Sequence, residues 1–486
     1  MTKILNALKR ESSIIENSKG GLYFATSWNA NLDFFSMVGR CKSQIEIYTA
    51  FEQAFIEDKV MAVANLLYNL DIRKGKGERE IFKISFKYLC NEHPEVAVKI
   101  LPLIPVLGRW DYVLCAVGTP VENDAILMIR NQLVEDMHSE NPSLLAKWLP
   151  SLRTHNKDNP EAYHIAKSLG YAPKKYRKIL SMLRSKLRIV EKQLSDQKYD
   201  QIDFSAVPTK AMLKYSEKFN RSCPHYGDYL DSLKKGEQKV NTKGLFCYEI
   251  VRKVMRDYCG KNADLLDAMW NSQTDFLKDN KTNVLVMADT SGSMLLHDGL
   301  PFYNSLGLAI YTAERNHGIF HNHFMTFSSR PEIQAIKGEN IVQKVRSIRS
   351  IIENTDIDKA FKLLLDTART YDIDKNEMPS HIIIISDMEF DNGVMSKGGT
   401  NFHGWKKVFE EAGYTLPKIV FWNVAGNPNG LPVTKFDNDV AMISGFNTSV
   451  LGSILDIENY NPVDIMMEVL APYLEISSDI VTAQGQ

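Results

Sequence analysis

The stretch Lys281–Met294 reads KTNVLVMADTSGSM. Its first half is apolar without alternation from Val284 to Ala288, which predicts a strand buried on both faces of a parallel sheet. The second half breaks into Asp289-Thr290-Ser291-Gly292-Ser293, an Asp-x-Ser-x-Ser turn where a strand would hand over to a helix. Open α/β sheets bind ligands at the carboxyl ends of their strands. One carboxylate and two hydroxyls on such a turn are hard oxygen donors. They suit Mg²⁺, which takes octahedral oxygen ligands at about 2.0–2.1 Å and keeps part of its water, and they suit Mn²⁺ as well.

Working outward, a second apolar run, SHIIIISD from Ser380, ends in Asp387. Between the two runs, Asn354-Thr355-Asp356 opens the amphipathic segment Ile357–Tyr371. Further strand patterns fall at His323–Phe327, Glu332–Ile336, Lys418–Val424 and Asp439–Ile443, with helical patterns between them. This alternation predicts a doubly wound, mostly parallel sheet. The same residues also admit a plainer reading, with Asp289 and Thr355 as helix caps and Asp387 as a turn residue. Glu389 and Asp391 either support a metal from outside its ligand set or line an acidic loop. His321 and His323 are expected on one strand face, at the surface or a strand edge, with His317 nearby and no carboxylate placed to complete a metal site.

Upstream the pattern is helical. Gly21–Phe35 (GLYFATSWNANLDFF) is aromatic without helical period and predicts an extended lead-in. From Glu46 apolar residues fall on helical faces. Short helical segments separated by Pro and Gly then continue to Leu149, the texture of an irregular α-solenoid of HEAT-like repeats. The loop Asp71–Glu80 (DIRKGKGERE) interrupts them with Arg73, Lys74, Lys76 and Arg79 around two glycines. It is either a plain turn or a weak phosphate-binding patch.

At 486 residues the chain exceeds one ordinary core. Three parts are expected: a helical-repeat region over 1–279, the α/β domain over 280–460, and a C-terminal helix and tail over 461–486. The last helix, Val463–Leu474, is expected to pack back on the helical region or to cover the sheet. The six cysteines are scattered without a C-x-x-C pair, which argues against a disulfide framework or a zinc ribbon. The opening MTKILNALKRESS lacks the apolar core of a signal peptide, and no apolar run approaches membrane-helix length. A cytoplasmic location without membrane contact is expected.

Charge is uneven. Residues 147–192 carry 12 Lys and Arg against 3 Asp and Glu, whereas residues 353–486 carry 9 against 20. A basic middle with an acidic C-terminal part predicts a polyanion partner for one part only. The basic residues Lys174, Lys175, Arg177, Lys178, Arg184, Lys186 and Arg188 sit on a predicted helix from about Tyr171 to Leu194. They either track phosphates beside aromatic neighbours such as Tyr171, Tyr176 and Tyr215 or simply solvate a helix face.

Asp289, Ser291 and Ser293 on one loop, Thr355 on a second and Asp387 on a third resemble the metal-ion-dependent adhesion site of von Willebrand factor A domains. The resemblance implies that fold, Rossmann-like in its layering, with Mg²⁺ (or Mn²⁺) held directly or through water and one position left for an acidic group of a protein partner. A long helical region before such a domain resembles the Ro (TROVE-domain) architecture, and more closely a family of A-domain proteins of bacteria and phages distantly similar to Ro. The carrying segments are DIRKGKGERE, IPVLGRWDYVL, KWLPSL, YRKILSMLRSKLRIVE, IDFSAVPTKAMLKY, KKGEQKVNTKGLF and VLVMADTSGSM. This resemblance implies a scaffold binding single-stranded or small non-coding RNA. The motifs GxxxxGK[ST], HExxH and GxSxG are missing, so no catalytic residue is expected. The competing expectation is a protein-interaction module that grips a partner carboxylate without RNA.

Overall fold

The computed structural model describes residues 3–16, 20–37, 42–154, 157–187, 189–242, 244–257, 260–327, 330–349, 356–390, 400–426, 430–455, 457 and 460–482. It is a mixed α/β structure with an N-terminal helical region and a C-terminal sheet of six strands. Helices of the first region pack mostly on helices near them in sequence. Their ends follow local chemistry. Ser43 and Glu46 form a capping box at the start of Gln44–Glu57, and Asp58 accepts from Met61 N to start Lys59–Leu70. Pro94, Pro160 and Pro173 each open a helix at its first turn, where a missing N–H costs nothing.

Two small hairpins lie in this part: β1 (Ile14–Glu16) with β2 (Leu22–Phe24), and β3 (Arg153–Thr154) with β4 (Lys157–Asp158). The sheet then comprises β5 (Val284–Ala288), β6 (His323–Thr326), β7 (Glu332–Ala335), β8 (His381–Ser386), β9 (Lys418–Asn423) and β10 (Val440–Ser444). The order is β10-β9-β8-β5-β6-β7, parallel throughout except for the antiparallel edge strand β7. Every residue of β5 and β8 is buried, as their unbroken apolar runs require.

The two regions share one continuous apolar core. Helix Cys247–Arg256 packs against the helix that follows β5. Gly307 allows that crossing, because a Cβ there would stand 3.0 Å from the Cys247 carbonyl carbon and the Tyr248 nitrogen. The C-terminal helix runs from Pro462 to Thr482, longer than its sequence pattern suggests, and lies along Lys59–Leu70 while also touching β10. The Tyr473 hydroxyl donates to Asp71 Oδ2 at 3.0 Å, and Lys99 Nζ donates to Ile480 O at 2.9 Å.

Three expectations need correction. The lead-in over Gly21–Phe35 is not extended throughout: it holds β2 and a helix, Ala30–Met37. Asn29 Oδ1 caps that helix by accepting from Leu32 N at 2.7 Å. Leu32, Phe34 and Phe35 are all buried, so no polar face marks the helical period. The helix predicted to reach Leu194 is two, Pro173–Lys186 and Val190–Ser195. His321 lies in the turn before β6, its ring Nδ1 2.7 Å from Asn316 O, and shares no strand face with His323.

Candidate functional site

The register of β5 on β8 pairs Ala288 with Ile385, which brings Asp289 level with Ser386 and Asp387 at the carboxyl ends of both strands. The chain order reverses across the sheet here, since β5 is followed by β6 on one side and neighbours β8 on the other. This is the switch point at which doubly wound sheets bind ligands. Asp289 is fully buried. Its Oδ1 accepts from Ser291 N at 2.9 Å, and its Oδ2 accepts from Ser386 Oγ at 2.6 Å. The Ser291 and Ser293 hydroxyls are 3.1 Å apart. Asp387 Oδ1 accepts from Glu389 N at 3.0 Å.

Burial, and then the Asp387 charge, push the Asp289 carboxyl up to about 7. Two buried carboxylates at one end of the sheet, with two hydroxyls alongside, are a donor set that a hard divalent cation would satisfy. Among the described residues no group of three or more His, Cys, Asp and Glu is placed for a metal. A cation here would therefore lean on the serine hydroxyls and water. Thr355 and Asp391 lie outside the described residues. Asp356 caps helix Ile357–Thr370 by accepting from Lys359 N. Ser386, which braces Asp289, was missed by sequence reasoning because a serine inside an apolar run carries no pattern of its own.

The turn after Ser293 is unusual. Leu295 and Leu296 are 45% and 61% exposed. His297, Asp298 and Gly299 then all have positive φ, 53°, 62° and 72°. For the two non-glycine residues this conformation costs about 1–2 kcal/mol each. Arg256 of the helical region, with Asp298 accepting at 2.8 Å through both carboxylate oxygens, holds the turn from outside.

The basic candidates divide. Lys174, Lys175, Arg177 and Lys178 are exposed on the first turns of Pro173–Lys186, while Tyr176, Ile179, Leu180 and Leu183 face the core. Lys175 Nζ stands 4.8 Å from the Tyr171 ring centroid. Two adjoining clefts of about 600 and 570 Å³ flank this helix and share Lys174, Arg177 and Lys192. Arg153 and Arg184 line the first and Lys178 the second; among the described residues no carboxylate lines either. Arg184 also holds the fold, donating to Ala146 O and Leu149 O at 2.7 Å and to Ser151 Oγ at 2.8 Å. Lys186 similarly donates to Ser139 O at 2.9 Å. Arg188 lies outside the described residues.

The loop Asp71–Glu80, open between a plain turn and a weak phosphate patch, makes contacts with the sheet region. Lys76 is 1% exposed and donates to Ser444 Oγ at 2.6 Å, at the end of β10. Its stem fills the space beside Gly445, where a Cβ would stand 2.8 Å from Lys76 Cγ. Ser449 Oγ donates to Lys74 O at 3.0 Å, Asn447 donates to Gly75 O, and Arg73 donates to Val106 O at 2.8 Å. Arg79 stands 3.4 Å from Asp111. Lys76 is therefore withdrawn from any nucleic-acid surface, and the loop plugs the helical region into the sheet. Gly75 permits the turn, since a Cβ there would lie 2.2 Å from Tyr68 O.

The N-terminal segment crosses to the sheet as well. Phe24 and Leu431 exchange backbone hydrogen bonds at 2.8 Å, and Phe390 N donates to the Tyr23 hydroxyl at 2.7 Å, three residues past Asp387. Arg10 pairs with Asp437 at 2.8 Å, beside His403.

"Uncharacterized protein L728" of Acanthamoeba polyphaga mimivirus is 32% identical over 509 residues, covering 95% of this chain and 88% of that protein. The chain belongs to that protein's family. Two domains of unknown function are matched along it, DUF2828 over residues 122–287 and DUF7788 over residues 283–470. The second match contains Asp289, Ser291, Ser293 and Asp387, and the first contains the basic helix Pro173–Lys186. No helix among the described residues is long and apolar enough to cross a membrane.

Proposed function

We propose that this protein is a non-enzymatic RNA-binding scaffold of Ro type, holding single-stranded RNA on the helical region and a divalent cation in a von Willebrand A-like domain. The observation that carries the RNA reading is the pair of clefts along Pro173–Lys186, basic on every charged wall. Phosphates would meet Lys174, Arg177, Lys178 and Lys192, while Leu152, Tyr163 and Leu180 offer the first cleft an apolar surface for unstacked bases. In chain order the sheet runs 3-2-1-4-5-6, which supports a doubly wound domain with its site at the switch point. Stacking of helices on their sequence neighbours supports the solenoid reading.

Replacing Lys174, Lys175, Arg177 and Lys178 by Ala is expected to weaken single-stranded RNA binding by a factor on the order of 10² at moderate salt. Each phosphate contact contributes a salt slope of about −0.7, so the plot of log affinity against log salt should flatten by roughly 3 units. Filter binding over a salt series measures both. An unchanged affinity and slope would move the RNA elsewhere.

Mg²⁺ or Mn²⁺ would be held by Asp289, Ser291, Ser293 and Asp387, with Thr355 contributed from the second loop. When bound, the ion offers positive charge to an acidic oxygen of a partner. Asp289→Ala removes a charged ligand and is expected to abolish detectable Mg²⁺ binding by calorimetry, with thermal melting used to verify the fold. Wild-type binding in that variant would sink the assignment. The exposed Leu295 and Leu296 beside Ser293 favour a second reading for this end of the molecule, a protein partner presenting a carboxylate flanked by apolar residues.

A further inference from the structure

A further cleft of about 950 Å³ lies within the helical region, lined by a different set of residues from the basic groove. It opens between the start of helix Arg79–Glu92, the turn Trp110–Ala116, Trp148, the start of helix Thr209–Ser222, and the segment from Gly244 to Tyr248. Cations lie on rings along its wall. The Arg109 guanidinium stands 4.1 Å from the Trp148 ring centroid and 5.2 Å from that of Tyr112, and Lys210 Nζ stands 4.9 Å from that of Phe246.

Carboxylates hold these cations from behind. Asp111 accepts from Arg109 Nε at 2.9 Å and from its terminal nitrogen at 2.7 Å, which fixes the plane of the guanidinium over Trp148. Asp111 also reaches Arg79, and Glu249 reaches Lys210 at 3.2 Å. The side chains of Asp111 and Glu249 are only 11% and 12% exposed, whereas those of Arg79 and Lys210 are 48% and 54% exposed. The positive ends therefore face the opening and the negative ends are withdrawn. The arrangement is not wholly positive: Glu78, buried, and the more exposed Glu80 and Glu191 also line the cleft, and Glu191 pairs with Lys147 at 3.6 Å. Lys214 adds an exposed cation to the mouth.

We infer that this cleft binds a nucleoside phosphate, with the base against the Arg109–Trp148 wall and the phosphates at Arg79, Lys210 and Lys214. A flat guanidinium locked on an indole makes a pre-ordered stacking surface, and stacking on such a surface is indifferent to which base is bound. Small-molecule clefts run to about 300–1,000 Å³, a range that includes this one. The site does not depend on the RNA groove, because none of these five residues lines it. Phe246 and Tyr248 in its wall pack on Phe446 of the sheet region, with centroids 6.4 and 5.3 Å apart, so an occupant would also bear on the seam between the regions.

The test is equilibrium binding of ATP, AMP and inorganic triphosphate, each without added metal, to the full chain and two variants. The double variant Lys210→Glu/Lys214→Glu changes exposed side chains, and its melting curve checks that it folds. ATP should bind wild type, at least tenfold more tightly than triphosphate, and the double variant should lose at least tenfold in ATP affinity. The variant with Lys174, Lys175, Arg177 and Lys178 replaced by Ala should bind ATP as wild type does. Absence of ATP binding, triphosphate binding as tight as ATP, or an ATP affinity that follows the groove variant instead of the cleft variant would each overturn the inference.

Discussion

Chains ended at Asn461 are expected to lose cooperative folding of the helical region, and not merely a tail. The removed helix, Pro462–Thr482, buries Ile465, Met466, Val469, Leu470, Tyr473 and Ile480. Burying a large apolar side chain stabilises by about 1.5–3 kcal/mol. Six of them amount to on the order of 10 kcal/mol as an upper estimate, against a typical total stability of about 5–15 kcal/mol. The face laid bare belongs to Lys59–Leu70, which is buried on every side from Ala62 to Leu70. A helix without a polar face cannot stay folded with one side open to water. Hydrogen exchange should show protection lost across residues 44–100. A truncated chain that melts at the wild-type temperature would contradict this. Tyr473→Phe is the milder probe. It removes a hydrogen bond to a carboxylate and is expected to cost about 1.5–3 kcal/mol.

Lys76→Ala is expected to destabilise the protein by on the order of 3 kcal/mol, through lost packing against Gly445 and a lost bond to Ser444. Lys76→Met keeps the shape and avoids burying a charge, so it should cost much less. The two variants separate packing from charge, and pH then separates them further. Burial lowers the Lys76 pKa from 10.5 to about 8. Below pH 8 the ammonium is present in folded and unfolded chains alike, and the full cost of burying it is paid. Between about 8 and 10.5 the unfolded chain holds a proton that the folded chain has released, so this group raises stability as pH rises. Denaturant melts should therefore show wild type gaining on Lys76→Met across that window. A constant difference would mean that the lysine is not the buried strut between the regions.

What the sequence made legible follows from how strongly burial constrains pattern. Val284–Ala288 and Ile382–Ile385 are buried on both faces, so each had to be an unbroken apolar run, and the polar residues at their ends fell into place as Asp289 and Asp387. The same logic hid the helix Ala30–Met37, where burial of Asn31, Leu32, Phe34, Phe35 and Ser36 blurred its period. Charge alone did not separate exposed basic residues from those that also hold the fold. Lys76, Arg184 and Lys186 carry the same letters as exposed phosphate binders. Yet one is buried at the seam and the other two satisfy backbone carbonyls of neighbouring segments. Such partners lie tens to hundreds of residues away, and periodicity along one segment cannot report them. The seam was expected through the last helix, packing back on the helical region or covering the sheet. It also holds a shared apolar core, a plug from Asp71–Glu80 and a strap through Tyr23 and Phe24.

The central claim is that RNA lies along the helix Pro173–Lys186. Photo-crosslinking of a 4-thiouridine-labelled single-stranded RNA to the full-length protein, followed by mass spectrometry of the linked peptides, tests it most directly. The account predicts crosslinks on peptides from Ser151–Lys192, centred on residues 171–182, that disappear as salt is raised and in the variant lacking Lys174, Lys175, Arg177 and Lys178. Crosslinks confined to other segments, or none at RNA concentrations where the wild type is otherwise saturated, would contradict it.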